Sequence, residues 1–270
     1  MRPAVSLWLA VGWLAALILS AIFAPLLPLH SPTDGELLSM LATPGAAHWF
    51  GADSIGRDIF ARAVYGARVS LVVALGSVAI GLSVGGLLGI LAGYFGGLAD
   101  RMLTGTMTVV LCFPALVLAI AVISSLGPSL TNVTLAIGLL FIPAFARIAR
   151  AGALGFRERE FVLAAHALGA GSARILVREI VPNLVPTLLS YALVMLGVAI
   201  LAEASLGFLG LSVRPPAPSW GGMIASERAN MVSAPHAIYL PALVMFFSVL
   251  SINVLGERVR RLFDIRGQAL

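Results

Sequence analysis

The chain has 270 residues, of which 60% are hydrophobic and only 11% charged, with a mean hydropathy of +1.02. A water-soluble domain needs more charge than this to wet its surface, so the composition excludes one and indicates an all-α polytopic membrane protein. All 17 basic residues are arginine; arginine at membrane borders accounts for the basic character and gives no ground for nucleic-acid binding.

A first spanning helix is expected over residues 7–29, closed by Pro25 and Pro28. The run after Arg2 is longer than the 7–15 apolar residues of a secretory leader, so it reads as a span. Residues 30–68 are polar by the standards of this chain and nearly charge-balanced, with Asp34, Glu36, Asp53 and Asp58 against Arg57, Arg62 and Arg68. That balance suits a loop on the outer face.

Helix 2 is expected over 69–94. Gly81, Gly85, Gly89 and Gly93 recur every fourth residue in it, which lets another helix approach closely. Gly96-Gly97 breaks the helix, and Asp100 and Arg101 mark a short inner loop. Helix 3 covers 102–126 with a kink at Phe113-Pro114. Gly127-Pro128 makes a tight turn, and helix 4 follows over 130–148. Helix 5 covers 184–209, a Gly/Pro-rich loop covers 210–235, and helix 6 covers 237–255 before an arginine-rich tail.

The longest charged island lies at 155–186. Arg157, Arg159, Arg174 and Arg178 alternate there with Glu158, Glu160 and Glu179. Its first short helix puts Phe161, Ala164, Ala165 and Leu168 on one face and ends at Gly169 and Gly171. Its second runs over about 173–181 and stops at Pro182. The chain thus leaves the membrane, forms a helix–turn–helix and returns, which is the form of a docking element. The arginine bias sets the orientation. Arg2, Arg101, Arg147, Arg150, the island and the tail lie on one side, and only Arg57, Arg62, Arg68, Arg214 and Arg228 on the other. The island and both termini are therefore expected to be cytoplasmic.

No chemical machinery is visible. The chain has no lysine to complete a phosphate-binding GxxxxGK[ST] loop. His30, His48, His166 and His236 are scattered, so no metal site is expected. Cys112 stands alone in an apolar run and reads as a small buried hydrophobe. Glu203 is the one acidic residue inside a predicted helix. Three roles are open to it: hydrogen-bonding the Gly/Pro-rich loop, contacting a substrate, or coupling to protons.

Several strings together resemble one family. They are H-W-F-G-A-D-S-I-G-R-D-I-F-A-R at 48–62, G-A-R-V-S-L at 66–71, A-G-Y-F-G-G at 92–97, R-E-R-E-F-V at 157–162 and A-A-x-x-L-G at 164–169. V-P-N at 181–183, I-L-A-E-A-S-L-G-F-L-G-L at 200–211 and R-P-P-A-P-S-W-G at 214–221 complete the set. In this order they resemble the permease subunits of ABC importers of the dipeptide/oligopeptide/nickel family, and the island is similar to the EAA loop of those permeases. The match is nearest to the second permease of such systems, which carries a substantial outer loop after helix 1. One position departs: Leu163 stands where the family places a glutamate, and Glu160 lies one turn earlier.

The resemblance implies a type I ABC importer permease fold with six transmembrane helices and a cytoplasmic coupling helix. It divides the chain into 1–68 (first helix and outer loop), 69–257 (transmembrane domain, coupling loop at 155–183) and 258–270 (tail). It assigns ATPase coupling to Glu160, Phe161, Ala164, Ala165, Leu168, Gly169, Pro182 and Asn183, and places Glu203 and Trp220 on the substrate path. It implies a multi-pass protein of the bacterial plasma membrane with no catalytic residue and no cofactor of its own. ATP and Mg2+ bind partner ATPase subunits, a homologous second permease completes a heterodimer in membrane lipid, and an extracytoplasmic binding protein delivers a dipeptide, oligopeptide or related small ligand. The alternatives are a self-contained secondary carrier using Glu203 for ion coupling, an intramembrane enzyme, and a membrane scaffold. The first predicts further ionisable residues deep in helices, and the second predicts a catalytic constellation within them.

Overall fold

The computed structural model describes residues 3–267 and is all-α, with no β-strand among the described residues. Arg2 and the side chains of Asp264 and Arg266 lie outside the described residues. Helix α1 spans Pro3–Phe23; α2 (Ile59–Ile80) continues through a wide turn at Gly81–Gly85 into α3 (Gly86–Phe95). Then come α4 (Gly97–Cys112), α5 (Ala115–Leu126), α6 (Leu130–Arg157), α7 (Glu160–Ala167) and α8 (Ser172–Ile175). A second wide turn at Leu176–Ile180 leads into α9 (Val181–Phe208), followed by α10 (Trp220–Ser226) and α11 (His236–Gly267). Five stretches are long and apolar enough to cross a bilayer, and α4 with α5, bent by 90° at their junction, makes a sixth.

The glycine stripe packs α2–α3 against α6. A Cβ on Gly81 would lie 2.7 Å from Phe141 Cβ, and one on Gly93 would lie 2.6 Å from the Arg150 carbonyl. Between them, Gly85 and Gly89 face the carbonyls of Ile142 and Ala146 at distances no side chain survives. The partners rise in number along both helices, so α2–α3 and α6 run parallel. Consecutive parallel spans need a return crossing, and α4–α5 supply it. Helix α9 runs antiparallel to both: Ser70 of α2 meets Glu203, and the Phe145 ring of α6 sits edge-on to Tyr191 at 5.1 Å. Helix α11 packs along α9, and the Trp13 indole of α1 donates to Ser248 of α11 at 3.1 Å. Alternating directions place the start of α1 and the end of α11 at the end of the bundle that carries α7.

Several expected boundaries shift for identifiable reasons. Helix α2 starts at Ile59, not at residue 69, because Asp58 caps it by accepting the Ala61 N–H at 2.7 Å. Arg62 is buried within this first part, donating to the Pro32 carbonyl at 2.6 Å and lying 3.5 Å from Asp53, so its charge does not end the helix. The kink at Phe113-Pro114 is a full break, since Phe113 is extended as the residue before proline prefers. Cys112, expected to be buried, is exposed at that break. Pro182 does not stop its helix. The wide turn at Leu176–Ile180 accommodates the proline's missing N–H and ring, and Asn183 Nδ2 donates to the Glu179 carbonyl at 2.6 Å. Helices α6 and α11 each run past their expected ends at 148 and 255, while α1 ends earlier, at Phe23. Thus α2 and α11 run through the expected segment boundaries at 68/69 and 257/258.

Gly89→Val should lower the folded chain's stability by about 1–3 kcal/mol or more, because backbone carbonyls cannot yield to the added methyls. Gly12→Ala in α1, with open space around it, should leave the detergent melting temperature within a degree or two. Thermal unfolding followed by size-exclusion chromatography checks both.

Candidate functional site

Two regions carry the side chains the sequence singles out, one at each end of the bundle. At the α7 end, α6 ends at Arg157 beside the end of α3, and α7 follows after a two-residue turn. Helix α7 is anchored by Val162, which is fully buried in the same cluster as Ala153, Ile175 and Leu176, with Ala165 packing half-buried against that cluster. Its C-terminus closes with a left-handed Gly169 (φ +78°): the Gly169 N–H donates to His166 O and the Ala170 N–H to Ala165 O, both at 3.0 Å. That pattern needs glycine at the turn, because an L side chain is strained there.

The expected docking face points away from the bundle. Phe161 and Ala164 are exposed, Ala165 is half-buried, and Leu168 is 88% exposed with no cover from this chain. Glu160 and Leu163 are exposed beside them. Pro182 and Asn183 lie apart from this face, at the start of α9, and shape the helix there.

Polar contacts bind α7 to the spans. The Tyr94 hydroxyl at the end of α3 is 3.2 Å from His166 Nε2, and Arg157 donates to the Tyr94 carbonyl at 3.2 Å. Next to them Arg150 of α6 grips Asp100 in the first turn of α4 with two hydrogen bonds, one of them Nη2 to Oδ2 at 2.6 Å. The ends of α3, α4, α6 and α7 therefore meet at one junction. No periodicity in the sequence announces His166 or Tyr94, which lie 72 positions apart.

At the opposite end, residues 30–58 and α10 form a cap. Asp53 is its centre: Oδ1 accepts the Ile55 and Arg57 N–H groups and Oδ2 accepts Arg57 Nε at 2.7 Å. Buried Glu227 accepts from the Ser54 N–H and hydroxyl and from Asn230, pinning the loop to α10. Trp220 is fully buried and its indole N–H donates to the Ala63 carbonyl at 3.0 Å. Glu203 is 0% exposed and accepts from Ser70 Oγ at 2.8 Å and Ser212 Oγ at 2.6 Å. Glu203 thereby ties α9, α2 and the loop after α9 together. Neither Glu203 nor Trp220 presents any surface to a ligand in this chain. An apolar hollow of about 370 Å³ lies beside them, lined by Leu201, Phe208, Ile224 and Met245 among others.

The cap also corrects the reading of the histidines as scattered. His30, His48 and Asp58 come together, with His48 Nδ1 2.8 Å and His30 Nδ1 3.7 Å from Asp58 Oδ2. The positions are 18 and 10 residues apart in sequence, a spacing without any local signal.

Comparison with known proteins agrees with this architecture. The family model described as "Binding-protein-dependent transport system inner membrane component" matches residues 85–266. The dipeptide transport system permease protein DppC of Alkalihalophilus pseudofirmus is 41% identical over 251 residues, covering 93% of this chain and 83% of the relative. The glutathione transport system permease proteins GsiD of Pectobacterium atrosepticum and of Escherichia coli O157:H7 are also 41% identical, covering 82% and 92% of this chain and 73% and 82% of the relatives. Permeases of this kind are not enzymes; ATP hydrolysis resides on separate subunits. The family match, the identity across nearly the whole length and the helical spans together make this chain a multi-pass inner-membrane permease of the ABC importers, of the dipeptide/oligopeptide branch and the second-subunit type.

Proposed function

We propose that the chain translocates di- or oligopeptides, or a related small ligand, as one half of a permease heterodimer with a homologous second permease. The observation that carries the coupling half of this reading is the outward-facing side of α7. Phe161, Ala164 and Leu168 are presented to solvent on a helix whose other side is anchored through Val162. An apolar face held rigidly at the tip of a long span is built to be gripped by another protein. The grip is that of a cytoplasmic ATPase subunit, which binds ATP and Mg2+, and Glu160 supplies the acidic contact that Leu163 does not.

Peptide as substrate class rests on the relatives, a dipeptide permease and glutathione permeases. The α7 end is cytoplasmic, since Arg101, Arg147, Arg150, Arg157, Arg159, Arg174 and Arg178 gather there against Arg57, Arg62, Arg68, Arg214 and Arg228 at the cap. An extracytoplasmic binding protein delivers its ligand at the cap. Closure of the ATPases drives α7, the junction of Tyr94, His166, Arg157, Arg150 and Asp100 carries the motion into α3, α4 and α6, and the bundle rocks between inward- and outward-facing states. Glu203 and Trp220 act in this scheme by holding the cap to α2 and α9 beside the substrate path.

Leu168→Asp should abolish ATP-dependent uptake in reconstituted vesicles while membrane insertion and melting temperature stay at parental values. Gly169→Arg should do the same with some loss of stability, because it strains the turn. Parental uptake by Leu168→Asp contradicts the docking role. Glu203→Gln keeps groups that can bond both serines and should retain most uptake, whereas Glu203→Leu leaves two buried hydroxyls unpaired and should cost about 2–5 kcal/mol of stability. Loss of uptake in a stable Glu203→Gln protein contradicts a purely structural role for Glu203 and places it on the substrate path.

A further inference from the structure

We propose that His30, His48 and Asp58 form a binding site for one divalent transition-metal ion of the zinc class. The three residues come from separate places: His30 follows the turn after α1, His48 lies in the middle of the cap, and Asp58 caps α2. Their ligand atoms lie within 4.8 Å of one another. The His30 and His48 rings sit side by side, centroids 5.0 Å apart.

Charge gives the first argument. Asp58 is only 4% exposed, and a buried carboxylate needs a compensating cation. The neighbouring guanidinium of Arg57 is committed to Asp53, and Arg62 is engaged by Pro32 and Asp53. Among the described residues Asp58 has only the two imidazoles as ion-pair partners. Its Oδ1 is occupied by the Ala61 N–H, which fixes the carboxylate and aims Oδ2 at the two rings. This is the outer-shell orientation that ligating carboxylates receive in metal sites.

Geometry gives the second. Ligand bonds of about 2.0–2.2 Å in a tetrahedral site place ligand atoms roughly 3.3–3.6 Å apart. The separation of 3.7 Å between His30 Nδ1 and Asp58 Oδ2 fits this spacing. The 2.8 Å contact between His48 Nδ1 and Asp58 Oδ2 is a hydrogen bond, and an ion entering there takes the place of its proton, which His48 carries on Nε2 instead. The two separations bracket the required spacing, so small ring rotations admit the ion. The His30 side chain is 60% exposed, so solvent can supply a fourth ligand. Two imidazoles with one carboxylate select the zinc class over calcium or magnesium, which take oxygen ligands. A bound ion would staple the end of α1 and the middle of the cap to the first turn of α2.

The test uses the full chain, purified in detergent without a histidine tag and with whatever subunits it retains, stripped of metal and titrated with Zn2+ by calorimetry. His30→Ala is the decisive variant, since the His30 ring is 60% exposed and its removal disturbs little beyond the ring contact with His48. One saturable equivalent is expected for the parent, with affinity reduced about 10–100-fold or more in His30→Ala. Zn2+ should raise the melting temperature of the parent and leave that of the variant unchanged. Asp58→Asn, which keeps an acceptor for the Ala61 N–H, should lose the same binding. Absence of saturable binding by the parent, or binding by His30→Ala equal to it, overturns the site.

Discussion

The close parallel approach of α2–α3 to α6 is the constraint on which the rest of the structure depends. Four glycines replace side chains along the seam; the α6 carbonyls of Ile142, Ala146 and Arg150 occupy the space at Gly85, Gly89 and Gly93, and the Phe141 and Phe145 side chains occupy it at Gly81. Apolar side chains gain little against each other in a bilayer, where lipid is as apolar as leucine, so close van der Waals contact and small residues hold such helices. Parallel neighbours in turn require a return crossing between them. The broken pair α4–α5 provides it, and its bend of 90° follows from the single Phe113-Pro114 step.

The same seam positions both ends of the molecule. Toward α7, it delivers Tyr94 at the end of α3 beside Arg150 and Arg157 of α6, so α7 hangs from two spans at once. A movement of α7 cannot be absorbed by a loose linker there. Toward the cap, buried Glu203 and Glu227 each hold donors from separate segments, and buried Asp53 closes its own turn through Ile55 and Arg57. Each fully satisfied carboxylate makes the cap a fixed part of the bundle, because breaking any bond leaves an unpaired buried group costing about 1–3 kcal/mol.

Much of this was legible in the sequence where the signal is local. The glycine period, a proline bend at Phe113-Pro114 and the glycine that ends α7 are short-range features with one physical meaning each, although the bend proves to be a full break. The start of α2 was not legible, because Arg57, Arg62 and Arg68 read as loop charge until Asp53 and the Pro32 carbonyl are seen to neutralise Arg62 inside the cap. Pro182 misled for the opposite reason: a wide turn and the Asn183 side chain let a helix continue through a residue that ordinarily ends one. Val162, which anchors α7, sits between the residues of the exposed face and carries no signal of its own. The grouping of His30, His48 and Asp58, and that of Tyr94 with His166, depend on tertiary folding and lie beyond any spacing rule.

The central claim is that this permease works as one member of an assembly whose energy enters through α7. Gentle detergent extraction of the tagged chain, followed by mass spectrometry of the intact complex, tests it most directly. A complex containing one homologous permease and two P-loop ATPase subunits is predicted. Isolation of this chain alone, active in ion-driven uptake after reconstitution, would contradict it.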